Sequence, residues 1–155
     1  MLLYLFHYTY PENIEKIREE GLKVGKKLFE IEMFGDEIEK YKPSHFPQHV
    51  NFHKAIFFNP EKRKDSQESF IIVDSEKLNQ DKIYIADKNI VGQLWHEIIN
   101  VYYGANTSGV PVETLASKFW NKLVTIKEYE KIEKKYKKIE ILYFDEIRKE
   151  KIIIG

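Results

Sequence analysis

His7 lies between a short apolar run and the start signals of a helix, a position from which a side chain can contact a ligand. The run, residues 2–6, predicts a buried strand, and Thr9 with Glu12 forms the capping-box pattern of a helix that begins near Pro11. Such junctions expose side chains to ligands, and imidazole changes its protonation near neutral pH. On position alone, a packing role explains a histidine at a strand end more often than a functional one, and capping explains Thr9.

Three more histidines, His45, His49 and His53, recur every four residues. On one continuous helix this spacing would align three imidazoles and indicate a metal site. Pro47 lies inside the run, and residues 52–58 have the pattern of a strand, so a continuous helix is not expected. We therefore predict no metal site and expect these histidines near a ligand cleft or in surface and packing positions. A histidine metal-site hydrolase is the least favoured alternative.

The scaffold for these residues is predicted from hydrophobic spacing, which gives six short strands and several helices. Strands are predicted at residues 2–6, 52–58, 69–74, 82–86, 139–144 and 151–154. Helices are predicted from Pro11 to a C-cap at Gly21, and over residues 90–103, 112–120 and 125–138. Residues 23–51 predict a long, partly irregular loop. The mixture favours an α+β fold in which helices pack against mainly antiparallel sheets.

Composition excludes several classes of protein. The chain has 155 residues, which predicts one domain over residues 1–155. It has no cysteine, which excludes disulfide frameworks, thiolate zinc sites and cysteine nucleophiles. The 25 basic and 25 acidic residues cancel, which argues against a strongly steered polyanion binder. No apolar run approaches the about 18 residues of a membrane span, so we expect a cytoplasmic protein without a membrane partner.

A lysine run follows in the last predicted helix: Lys131, Lys134, Lys135, Lys137 and Lys138. These lysines alternate with glutamates, which is typical of a solvated helix face. We therefore favour that role over phosphate contacts. The many tyrosines and phenylalanines could stack on bases, but most lie at core-periodic positions.

The amino-terminal segment resembles the opening of ADP-ribosyltransferase-fold proteins. In that superfamily a first strand ends in His-x-Thr or His-x-Ser and is followed by a helix of the form Asn-x-x-x-Ile-x-x-x-Gly-Leu. Here the strand leads into His7-Tyr8-Thr9, and the helix form is matched by Asn13, Ile17, Gly21 and Leu22.

Two later segments are similar to further elements of the superfamily. Residues 54–59, Lys-Ala-Ile-Phe-Phe-Asn, resemble its strand of a small, an apolar and two aromatic residues, although the family usually has Tyr where this chain has Phe57. Glu140-Ile141-Leu142, followed by a turn and a final strand, resembles the ending of the DarT-like branch. The resemblance covers residues 2–25, 52–59 and 139–154.

The resemblance implies a split pair of mainly antiparallel sheets and a toxin-like enzyme that transfers ADP-ribose from NAD, its substrate, and releases nicotinamide. Glu140 would hold the ribose and stabilise the developing positive charge, and His7 would donate a hydrogen bond to the adenosine-side ribose. The NAD-binding residues would be His7, Tyr8, Thr9, Phe57 and Phe58, with one of the two phenylalanines stacked on nicotinamide.

The resemblance does not decide whether the acceptor is a nucleic acid or a protein. It also leaves open whether the reaction is transfer of ADP-ribose or hydrolysis of NAD. A cognate antitoxin or hydrolase would be a further partner. The alternative is a non-catalytic binding module on the same fold. Glu140 could also merely cap its strand, and Glu113 is a rival carboxylate whose early-helix position gives it a routine role.

Overall fold

The computed structural model describes residues 3–25, 27–64 and 69–154. They form an α+β fold with two antiparallel sheets. The strands are β1 (Tyr4–Thr9), β2 (Ile56–Phe58), β3 (Ser69–Asp74), β4 (Ile83–Asp87), β5 (Val124–Thr125), β6 (Ile139–Tyr143) and β7 (Ile152–Ile154). The helices are α1 (Pro11–Glu20), α2 (Phe29–Lys40), α3 (Lys88–Tyr103), α4 (Val112–Lys122) and α5 (Ile126–Lys131). Within these described ranges, no helix is both long enough and apolar enough to cross a membrane.

The two sheets have the strand orders β1-β3-β7 and β2-β6-β4-β5. They are joined where Phe6 of β1 and Asn59, just after β2, exchange two backbone hydrogen bonds of 2.9 Å each. The prediction of an α+β fold with mainly antiparallel sheets is therefore confirmed. The strand prediction at residues 69–74 coincides with β3, and the other predicted strands differ from β1, β2, β4, β6 and β7 mainly at their ends.

The core has two parts because alternate residues of the four-stranded sheet face opposite sides. Ile141 faces the other sheet, in a cluster whose fully buried members include Leu5 and Ile71. Leu142, the next residue, faces helices α2, α3 and α4. There the indole of Trp120 donates a 2.9 Å hydrogen bond to the backbone carbonyl of Ile38. The sheet that carries Glu140 is thus covered by helices on one face.

Helix α2 corrects the prediction that residues 23–51 form an irregular loop. It buries Phe34 and Ile38, four residues apart, against the sheet. Gly35 lies between them because His53 packs on the helix there: a Cβ on Gly35 would lie 2.7 Å from the imidazole ring. This close approach, and not a turn, explains the glycine.

The start of α1 corrects the predicted role of Thr9. Thr9 is the last residue of β1, and the N-cap is Tyr10, which makes no capping hydrogen bond with its side chain. The Thr9 hydroxyl instead accepts a 3.0 Å hydrogen bond from the side-chain amide of Asn13. Pro11 at the start of the helix and Gly21 at its end, with a φ of 82°, are confirmed.

The predicted helix at residues 125–138 is shorter in the structure. Its capping box between Thr125 and Glu128 is confirmed, but α5 ends at Lys131. The chain turns back because Tyr136 packs on Tyr129 and donates its backbone N–H to that phenol. The lysines after residue 131 are exposed, but they do not form the predicted helix face. Residues 52–54 are likewise a 3-10 turn and not part of β2, and β5 was not predicted.

Candidate active site

The three segments of the resemblance lie side by side in the structure. Strand β2 pairs with β6, with Phe57 opposite Leu142 and Phe58 opposite Ile141. Just beyond β2, Asn59 pairs with Phe6 of β1. Segments that are up to about 130 residues apart in sequence therefore form neighbouring strands, with the aromatic strand between those of His7 and Glu140.

His7 is held by the backbone of the aromatic strand. Its Nδ1 lies 2.9 Å from the carbonyl oxygen of Phe57, and its ring contacts the ring of Phe58 edge-on, with 5.7 Å between centroids. Burial lowers the pKa of His7, and the hydrogen bond to the carbonyl acts more weakly in the opposite direction. Since a carbonyl only accepts, Nδ1 carries the proton, and a neutral ring leaves Nε2 as an acceptor.

The cavity beside His7 is called the His7 cavity here. It has a volume of about 520 Å³ and lies between the end of β1, helix α1 and the segment after that helix. Thr9, Asn13, Lys16 and Gly25 contribute to its walls. The polar groups along it come from the segment that resembles the first ADP-ribosyltransferase element.

Glu140 lines a different cavity, called the aromatic cavity here. This cavity has a volume of about 400 Å³ and lies between α2, α3 and the sheet. Its wall includes the aromatic rings of Phe34, Phe52, Phe57 and Trp95. Lys88 and Gly92 of α3 complete the side next to Glu140. The cavity therefore combines flat apolar walls with one carboxylate.

The carboxylate of Glu140 is half-buried and has no bonding partner among the described residues. None of them makes a hydrogen bond or an ion pair with it. Burial raises the pKa of Glu140, and the positive charges of Lys88 and Arg63 act in the opposite direction. A carboxylate that lacks partners inside the protein has its oxygens available for a ligand, and such perturbed groups cluster at functional sites.

The predicted site residues are brought together only in part. Phe57 and Glu140 share the aromatic cavity, whereas His7 lines the His7 cavity. The reason is the alternation of the strands: Glu140 lies on the face of β6 that bears Leu142, and His7 lies on the face of β1 that bears Leu5. Phe57 connects the two, because its carbonyl binds His7 and its ring lines the aromatic cavity.

The other predicted NAD-binding residues have different surroundings. Phe58 is 1% exposed and lies in the core between the sheets, so Phe57 is the ring that reaches a cavity. The Tyr8 ring lies under the guanidinium of Arg63, at 4.3 Å, and its phenol accepts a hydrogen bond from the backbone of Arg63. Glu113 is exposed in the first turn of α4, which agrees with a routine helix role.

The histidines at positions 45, 49 and 53 do not converge. His45 stacks on Phe46, His49 lies near Tyr84, and His53 lies 2.9 Å from Asp36 and 3.2 Å from Glu32. In the part of the chain that the structure describes, no group of three or more histidines and carboxylates is arranged to hold a metal ion. The geometry required by a three-histidine metal site is not present.

The sequence did not indicate Lys88 or Trp95 as site residues. Both come from α3, and they face the site only because the helix packs across the start of β6. The available signal was weak: Lys88 follows the last residue of a strand, where helix starts often meet ligands. No family model, curated protein or solved structure matches the chain.

Proposed function

We propose that the protein is an NAD-dependent ADP-ribosyltransferase, with the aromatic cavity as the nicotinamide end of its site. One observation carries the proposal: Glu140, whose carboxylate has no partner among the described residues, lines the same aromatic-walled cavity as the ring of Phe57, on the neighbouring strand. The segments that resemble the superfamily thus supply a flat ring and a free carboxylate in one place.

The chemistry requires both groups. Cleavage breaks the bond between the nicotinamide nitrogen and ribose C1′, and the electron pair leaves with nicotinamide. Positive charge develops on the ribose, and a carboxylate fixed beside it stabilises that charge. A lone pair of the acceptor then bonds to C1′, and the acceptor gives its proton to Glu140 or to water. The ring of Phe57 stacks on nicotinamide, a role that does not require the phenol hydroxyl of the usual tyrosine.

His7 has a binding role in this proposal. The resemblance implied that His7 donates to the adenosine-side ribose, but its donor is occupied by the Phe57 carbonyl. The neutral ring offers Nε2 as an acceptor, so a ribose hydroxyl donates to it. The dinucleotide then extends from the His7 cavity past Phe57 into the aromatic cavity.

Nicotinamide release from NAD by the purified protein tests the proposal. We expect Glu140→Gln, which keeps the shape and removes the charge, to lower release by about 100-fold or more. Glu113→Gln is the matched control, because it makes the same change on an exposed helix turn, and it should remain within about twofold of the wild type. Circular dichroism establishes that both variants fold. Equal release from wild type and Glu140→Gln would overturn the proposal.

A specific observation favours a second candidate, a non-catalytic binding module. His7 and Glu140 line separate cavities, as expected for a pocket that holds a ligand without cleaving it. For this candidate, NAD or another aromatic ligand binds, nicotinamide is not released with either acceptor class, and Glu140→Gln leaves the affinity nearly unchanged. Calorimetric titration beside the release assay distinguishes the two functions.

A further inference from the structure

A third cavity, called the basic cavity here, shares Lys88 with the aromatic cavity. Its volume is about 620 Å³. The charged side chains along its described wall are five cations and one carboxylate: Lys62, Arg63, Lys88, Lys137, Lys138 and Glu61. The whole chain has 25 basic and 25 acidic residues, so the excess of positive charge along this wall is local. The described wall of the cavity therefore carries an excess of positive charge on a protein with no formal net charge.

Three lysines of the basic cavity, Lys62, Lys137 and Lys138, have no carboxylate partner among the described residues. Lys88 contacts a neutral group, the side-chain oxygen of Asn59, at 3.3 Å. The nearby carboxylate of Asp87 is paired with Lys122, outside the cavity, at 3.0 Å. An anion could thus contact several ammonium groups at once.

A fixed aromatic ring lies beside these cations. Tyr136 lines the basic cavity and packs on the buried ring of Tyr129, with 5.2 Å between centroids. Its phenol donates a 2.5 Å hydrogen bond to the backbone carbonyl of Lys122, which holds the ring in place. The ammonium group of Lys122 lies over one face of this ring, 5.4 Å from its centroid, so a base would stack on the other face. A rigid ring next to lysines has the two features that bind a nucleotide unit: a surface for the base and positive charge for the phosphate.

We propose that the basic cavity binds a nucleotide unit, with its phosphate on Lys62, Lys137 and Lys138 and its base on Tyr136. The unit is either a free nucleotide or part of a nucleic-acid strand, since both present a phosphate beside a base. Lys88 lines both this cavity and the aromatic cavity, so the bound unit lies next to Glu140. The inference does not depend on NAD cleavage, because it concerns binding at a separate place.

Binding is measured by calorimetric titration of the full chain, without NAD, against AMP, inorganic phosphate, adenosine, and DNA and RNA single strands of about ten nucleotides. We expect AMP to bind more tightly than either phosphate or adenosine, and binding to weaken as salt rises from about 50 to about 200 mM. Lys137→Glu with Lys138→Glu should weaken AMP binding by about 10-fold or more. Lys77→Glu with Lys118→Glu, exposed lysines elsewhere, makes the same charge change and should alter it by less than about twofold.

The two sources of the unit give different results. A strand that binds far more tightly than AMP identifies a nucleic acid, and equal affinity identifies a free nucleotide. Tyr136→Leu should reduce the affinity for AMP to that for inorganic phosphate, while the melting temperature shows that the variant is folded. The proposal is overturned if no probe binds, if phosphate binds as tightly as AMP to the wild type, if both lysine pairs have the same effect, or if NAD displaces AMP competitively. These binding measurements do not use nicotinamide release. A failure of the proposed enzyme activity is therefore distinguishable from a failure of nucleotide binding.

Discussion

The His7 end of β1 and the Glu140 end of β6 are alike in burial and opposite in bonding. Burial favours the neutral form of both side chains, lowering the pKa of His7 and raising that of Glu140. His7 is bonded to a backbone carbonyl, whereas the described residues provide no hydrogen bond to Glu140. Burial alone therefore does not identify a catalytic group. The difference in bonding indicates that His7 holds structure and ligand, and that Glu140 is free to act on one.

The largest expected difference between the two cavities is kinetic. Gly92 borders the aromatic cavity and Gly25 borders the His7 cavity, and a Cβ at either position would meet no atom within 4 Å. A leucine at each position therefore narrows one cavity without displacing the core. We expect Gly92→Leu to lower kcat for nicotinamide release by about 10-fold or more, because it intrudes on the reacting end.

The matched variant Gly25→Leu should raise KM for NAD by about 3-fold with kcat unchanged, because the new side chain narrows only the His7 cavity. Steady-state kinetics over a range of NAD concentrations measures both variants. A lower kcat in Gly25→Leu with no effect in Gly92→Leu would reverse the assignment of the two cavities.

The next difference is one of stability. His7→Ala removes the hydrogen bond to Phe57 and the ring contact with Phe58, and should lower the free energy of unfolding by about 2 kcal/mol at neutral pH. Because the folded state holds the imidazole neutral, its stabilising effect is complete above the unfolded pKa of about 6.5 and is lost as the pH falls through the lower folded value. Denaturant unfolding at several pH values measures this. A constant difference between wild type and variant from neutral to acid pH would contradict it.

Glu140→Gln should have the opposite sign. The raised pKa of Glu140 means that folding disfavours the ionised form, so its contribution to stability is complete below about pH 4 and is lost as the pH rises through the folded pKa. The variant should therefore melt above the wild type at neutral pH and together with it in acid. The gain should be smaller than the loss at His7. A variant less stable than the wild type at neutral pH would show that Glu140 has a structural partner.

The smallest expected effect concerns Lys88, which lowers the pKa of Glu140 by its charge. Lys88→Gln removes that charge, so the pKa of Glu140 should rise further. If catalysis uses the ionised carboxylate, the acid limb of the pH profile of kcat/KM moves to higher pH. A parallel variant, Lys118→Gln, lies outside the described cavity walls and should leave the limb in place. Movement of the acid limb to lower pH in Lys88→Gln would exclude an electrostatic effect of Lys88 on Glu140.

Much of the fold was predictable where local signals are strong. Proline and glycine bounded α1, the Thr125–Glu128 box marked α5, and apolar runs marked the strands. Helix α2 was missed because its N-cap, Leu28, makes no side-chain hydrogen bond and Gly35 interrupts its pattern. The reason for that glycine is contact with His53, eighteen residues later in the chain, which no local window contains.

The candidate site was predictable only for residues within recognisable segments. Phe57 and Glu140 belong to such segments, and their adjacency follows once β2 pairs with β6. Trp95 and Lys88 could not be predicted, because their role depends on which side of α3 faces the sheet. The same helix buries Leu94 in the core and turns Trp95, one residue later, toward the cavity.

The reciprocal pairing of Phe6 with Asn59 has a mechanical consequence. The backbone N–H groups of these two residues donate the hydrogen bonds that join the two sheets, which are otherwise held together largely by apolar side chains. Apolar contacts resist separation but slide easily, whereas a pair of backbone hydrogen bonds fixes one point. Any rocking of one sheet on the other would pivot about that point. The hydrogen-exchange rates of these two amides therefore report directly on how often the two sheets separate at this point, and on whether a bound ligand prevents the separation.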